Sequence, residues 1–221
     1  MLNHHRMIRA VIGREFRWRE LLFWTFLLAA FQSIESAEPR RQIMGVVETV
    51  AFLLLAIRSA GKLDGLGLEF TAWNPLGVRA VTASVATGLL SGAIIVLVAL
   101  RCHQPLGAES RWNRVVLAVI LGPVVEEVVF RGYLMAAGLQ LERRLSRKAR
   151  GWASVVGVAL VFMFAHGART GTTGIQLSCI MMTGTMYGCI RLRLQSTLAA
   201  VLAHGSYNLA LFLSFWVGIS H

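Results

Sequence analysis

The chain has 221 residues, of which 56% are hydrophobic and only 15% charged, and its mean hydropathy is +0.61. Soluble domains average about 45–50% apolar and about 25% charged residues. Disorder and an ordinary soluble globule are therefore both excluded, and an all-α polytopic transmembrane bundle is the expected class. The net charge of +11 comes from 22 Lys and Arg against 11 Asp and Glu. No finger motif or aromatic-interleaved basic stretch accompanies it, so no nucleic-acid partner is expected. The lipid bilayer is: cytoplasmic loops collect Arg and Lys against anionic headgroups.

Residues 1–20 carry Arg6, Arg9, Arg14, Arg17 and Arg19 and lack a short apolar core with a cleavage site. They read as a basic cytoplasmic arm or interfacial helix, not a signal peptide. Residues 21–221 read as a single membrane domain. A spanning helix needs about 20 mostly apolar residues. Seven candidates follow in order: 21–34, 43–57 with Glu48 inside, 80–100, 115–139, 152–168, 175–190 and 197–219. Six to eight spans fit the same pattern. Breaks fall at Glu35 to Pro39, at Asn74 to Gly77, and at Arg169 to Gly174. With seven spans, 15 of the Lys and Arg fall on one side, in 1–20, 58–79, 141–150 and 191–193. Six fall on the other, in 35–42, 101–114 and 169–173. That places the N-terminus in the cytoplasm. Cys102, Cys179 and Cys189 show no CxxC or zinc spacing. Cys179 and Cys189 share one apolar segment and read as small core residues rather than a disulfide.

The informative residues are polar groups inside apolar runs, because a charge at the bilayer centre costs at least about 2.5–3.5 kcal/mol. They form three clusters: Glu126, Glu127 and Arg131; Phe162 and His166; His204 and Asn208. Glu127 and Arg131 lie four apart and pair on one helix face. Glu126 points about 100° away and has no cation on its own helix. Phe162 and His166, and likewise His204 and Asn208, each form one ridge toward the bundle interior. Ser206, Thr183, Gln176 and Glu48 read instead as glue between helices or as end-snorkelling groups. At about 1.5 Å per residue, Glu126 lies about 16 Å into its span, His166 about 22 Å and His204 about 10 Å from the cytoplasmic starts of theirs. The three meet only if tilt, side-chain reach or shifted helix ends close that gap.

A carboxylate beside a neutral imidazole can hold and deprotonate a water. A second His with an Asn amide can donate to a developing oxyanion. The set therefore fits amide hydrolysis inside a membrane cavity. Glu126, His166 and His204 also match a three-ligand zinc site with an open position. Other intramembrane protease chemistries lack their residues. There is no HExxH, the sole Asp is Asp64 in a loop, and Leu89-Leu90-Ser91-Gly92 is a poor GxSG match.

EExxxR, FxxxH and HxxxN, in that order on nearby spans, resemble the CPBP family, the type II CAAX prenyl endopeptidases and bacterial Abi-type intramembrane proteases. The resemblance covers about residues 115–210. It implies that Glu126 is the catalytic carboxylate and that His166 activates water with it. His204 and Asn208 would form the oxyanion site, with Glu127 and Arg131 as the supporting ion pair. It further implies an intramembrane endopeptidase acting on a membrane-anchored peptide or protein, by CAAX-type or C-terminal sorting-type processing, in a multi-pass protein of the bacterial inner membrane. The family admits a glutamate-type or a metalloprotease mechanism. The compensated charge on Glu127 and Arg131 favours the glutamate type, with no cofactor. Two other readings stand beside this one: a non-catalytic membrane protein of the same fold, serving bacteriocin immunity or scaffolding, and a small proton-linked transporter. The absence of paired broken helices makes the transporter the weakest.

Overall fold

A computed structural model describes residues 76–103, 115–145, 150–170 and 173–216, together with the single positions Leu22, Thr25, Phe26 and Ala29. The arm at 1–20 and the candidate spans at 21–34 and 43–57 lie outside the described residues, apart from those four. Every element among the described residues is helical. They are α1 (Val78–Arg101), π1 (Leu117–Leu121), α2 (Gly122–Glu127), π2 (Val128–Leu134), α3 (Met135–Leu145), α4 (Trp152–Thr170), α5 (Gly174–Leu194) and α6 (Thr197–Trp216). Five of the expected spans are thus present as helices. The fourth is a relay of α- and π-helical turns in place of one α-helix.

Helices α1 and α6 are long and apolar enough to cross a membrane, and Trp152–His166 of α4 is a shorter apolar helix. Large apolar side chains stand exposed along the outside, among them Leu90, Ile94, Leu97, Ile120, Val161 and Phe164. Exposed apolar side chains of this size suit hydrocarbon, not water.

Lipid tails do not drive helices together, so close backbone approach must. Helix α1 turns Ser84, Gly88, Ser91 and Gly92 inward and packs along α6. A Cβ on Gly88 would collide with the Ala203 carbonyl, and one on Gly92 would lie 2.6 Å from the Ala210 Cβ. The Leu89-to-Gly92 stretch therefore serves helix packing, and Ser91 Oγ donates to its own Gly88 carbonyl at 2.9 Å. Helix α5 repeats the device against α4. A Cβ on Gly188 would lie 2.9 Å from Val155, and one on Gly184 would lie 3.4 Å from the Ala159 Cβ. Two polar residues read as interhelical glue also bond within their own helix or its cap. Gln176 closes a capping box with Thr173 at the start of α5, and Thr183 Oγ1 donates to the Cys179 carbonyl one turn back. Cys179 and Cys189 carry no disulfide.

The link from α5 to α6 is two residues long. Gln195 takes the left-handed conformation (φ 55°) and turns the chain. Arg191, Ser196, Thr197, Ala199 and Ala200 are all buried there, and Arg191 Nε donates to Thr197 Oγ1 at 3.1 Å. Helix α6 thus begins at a buried turn. At the entry to α4, Gly151 sits at φ +84° with Leu139 and Leu192 where a Cβ would go. Glu142 of α3 reaches back to cap this helix. It accepts from Gly151 N–H at 2.9 Å and from the Ser154 N–H and hydroxyl at 3.0 and 2.7 Å. Burial pushes the Glu142 carboxyl up, but the bonds from Ser154 and Gly151 outweigh it and hold it below its ordinary value.

Candidate active site

Three helices bring the three clusters together. Glu126 lies in the last turn of α2, His166 on α4 and His204 on α6. Glu126 Oε2 is 3.8 Å from His166 Nε2 and 3.9 Å from His204 Nε2. Both gaps exceed a direct hydrogen bond and suit a bridging water. Side-chain exposure falls from 22% at His166 through 10% at Glu126 and 8% at His204 to none at Glu127 and Arg131. The site opens at His166 and closes at the ion pair.

Glu127 and Arg131 pair through Oε1 and Nη1 at 2.9 Å, as their spacing predicts. The pair also does more than the sequence suggested. The same Glu127 oxygen meets His204 Nδ1 at 2.8 Å. Arg131 Nη2 donates to the Gly184 carbonyl at 2.9 Å, and the guanidinium lies over the Phe162 ring at 4.4 Å. His204 therefore has one carboxylate facing each ring nitrogen. Its ring also stacks on Tyr187, with centroids 4.9 Å apart and planes 19° apart.

These contacts fix the tautomers. Glu127 is an acceptor neutralised by Arg131, so His204 Nδ1 carries the hydrogen. His166 Nδ1 lies 2.9 Å from the Phe162 carbonyl. A carbonyl only accepts, so that nitrogen carries the hydrogen too. In each ring Nε2 is the nitrogen nearer the Glu126 carboxylate. A neutral ring presents it as an acceptor, and a protonated ring presents it as a donor.

Asn208 stands one turn beyond His204, as expected, but its side chain turns to the broken helix. Its Nδ2 donates to the Ala118 carbonyl at 2.7 Å, which leaves one amide hydrogen over. Among the described residues, no three His, Cys, Asp or Glu side chains form a group that could hold a metal ion. Tyr187, Gly184 and Ala118 escaped the sequence reading. Tyr187 sits in an apolar run where nothing but its contact with His204 distinguishes it, and the other two act through backbone oxygens.

No curated protein and no solved structure matches the chain. A protein-family model does, over a stretch that contains every residue of the three clusters. Residues 108–210 are similar to the family described as type II CAAX prenyl endopeptidase, Rce1-like, the group that the three motifs resemble.

Proposed function

We propose that the protein is an intramembrane endopeptidase that cleaves a membrane-tethered substrate near its C-terminus, of the CAAX type or a sorting-type relative. One observation carries this reading: Glu126 Oε2 lies 3.8 Å from His166 Nε2 and 3.9 Å from His204 Nε2. A water between them would give its hydrogens to two acceptors and point its own lone pair at a carbonyl carbon. Glu126 takes a proton as that oxygen attacks, and His166 orients the water through its second hydrogen. The tetrahedral oxyanion is met by His204 when its Nε2 is protonated, with Nδ1–H held on Glu127. When the carbon–nitrogen bond breaks, Glu126 returns its proton to the leaving amine, and the carboxylate is restored.

We read the mechanism as metal-free, which the mutual neutralisation of Glu127 and Arg131 supports. We take the enzyme to be a multi-pass protein of the bacterial inner membrane, and the distribution of Lys and Arg supports a cytoplasmic N-terminus. The test compares C-termini of membrane-linked proteins in cells carrying the wild-type chain, a deletion, or Glu126→Gln. Unprocessed C-termini shared by the last two strains are expected. A phenotype that survives joint loss of Glu126 and His166 would favour the non-catalytic immunity or scaffold reading.

A further inference from the structure

We infer that Asn208 is a positioning residue, which holds Glu126 in place by satisfying a backbone carbonyl that Pro123 leaves without a donor. This rests on the peptidase reading above. In an α-helix the Ala118 carbonyl accepts from the amide of residue 122, four positions on. Here the Gly122 N–H goes to the Leu117 carbonyl instead, closing the π-helical turn of π1. Continuing that register would give Ala118 the amide of residue 123. Residue 123 is proline and has no N–H. Both backbone routes to the Ala118 oxygen are therefore closed.

A part-buried carbonyl without a donor between apolar helices is costly. Asn208 supplies the donor, at 2.7 Å from a helix 90 residues away in sequence. The amide orientation follows from chemistry alone, because only the NH2 end of the side chain can face a carbonyl. The brace is anchored on both sides. Gly205, three residues before Asn208, leaves space where a Cβ would lie 2.5 Å from the Val119 carbonyl. Helix α6 thus grips the bulged turn at Ala118 and Val119, and α2 runs from that turn directly to Glu126. His204 and Asn208 lie four apart on α6. One helix face therefore sets the imidazole against Glu126 and fixes the segment that delivers Glu126. Bulges of this type commonly mark functional sites.

This assignment differs from a direct oxyanion contact, and a double-mutant cycle separates the two. Wild type, Asn208→Ala, Pro123→Ala, the double variant and Glu126→Gln are reconstituted in vesicles. Each is assayed on a farnesylated peptide ending in a CAAX sequence. Asn208→Ala is expected to lower kcat about 10- to 100-fold, with KM changed less than about twofold, because a displacement on the order of 1 Å costs this much. Pro123→Ala restores an amide that can reach Ala118 in the existing register and should stay within about threefold of wild type. In that background Asn208→Ala should cost less than about threefold.

An equal loss from Asn208→Ala in both backgrounds, or no loss in either, overturns the inference. If alanine at 208 fails to accumulate, Asn208→Leu fills the space and is scored the same way. If neither accumulates, recovered accumulation on adding Pro123→Ala supports the brace, and continued failure refutes it. The Glu126→Gln arm tests the parent reading separately. If it is inactive while the coupling is absent, the brace alone falls. If it is fully active, the peptidase reading falls.

Discussion

Arg131→Met removes one charge from a pair with no exposed surface on either partner. Three things are lost together: the 2.9 Å contact with Glu127, the 2.9 Å bond to the Gly184 carbonyl, and the guanidinium over Phe162. What remains is a carboxylate buried without its cation. Breaking a buried pair from one side typically costs about 3–5 kcal/mol. For a chain of this size that corresponds to a fall of roughly 6–20 °C in Tm. Glu127→Gln strands the guanidinium instead and should cost a similar amount. The double variant strands neither charge, so it should melt above the worse single variant, far from the sum of the two. It should nonetheless stay poorly active, because His204 Nδ1 then faces an uncharged amide. Thermal melts of the four proteins in one detergent, with parallel cleavage assays in vesicles, supply both readouts. An unchanged Tm for Arg131→Met, or additive losses in the double variant, would refute the reasoning.

Gly184→Ala places a methyl 3.3 Å from both Arg131 Nη2 and the Phe162 ring. Overpacking there should cost about 1–3 kcal/mol in detergent melts, whereas Gly157→Ala, with nothing within 4 Å, should be neutral or slightly stabilising. Glu142→Ala removes the acceptor that caps α4 and should cost about 0.5–2 kcal/mol. Hydrogen bonds hold the Glu142 carboxyl below its ordinary value when folded, so its contribution is present above pH 4.5 and lost as pH falls through the lowered value. The melting difference between wild type and Glu142→Ala should therefore shrink in acid, and a difference that grows there would contradict the assignment. Activity should survive chelation, and elemental analysis should find no stoichiometric metal. Loss on chelation with recovery on adding zinc would turn Glu126, His166 and His204 into ligands.

The clusters were legible because charge and imidazole are conspicuous in apolar runs, and helical spacing sorts them. Glu127 and Arg131 needed nothing more than an interval of four. That Glu126 faces both histidines followed from its lack of a partner on its own helix. Counting residues from the helix starts separates His166 from His204 in depth, yet both meet Glu126. Helix α6 starts at a buried turn, where Arg191 and Thr197 bond to each other. The glycines at 88, 92, 184 and 188 carry no charge signal, and their role shows only when the helix that presses on each is known. The Asn208 bond was hidden for a different reason. Asn208 is four from His204, which suggests shared work on a ligand, whereas its partner is a backbone oxygen freed by a missing hydrogen on Pro123. The seven-span count and the basic arm rest on sequence, since the first two spans lie outside the described residues.

In the proposed reaction Glu126 takes the proton from the attacking water. The direct measurement is turnover of the farnesylated CAAX peptide by Glu126→Gln, at matched abundance in vesicles and against wild type. The amide keeps the shape of the side chain and removes the base. Loss of a general base predicts a fall of about 10²–10⁴-fold in kcat. Turnover by Glu126→Gln equal to that of wild type would contradict the account.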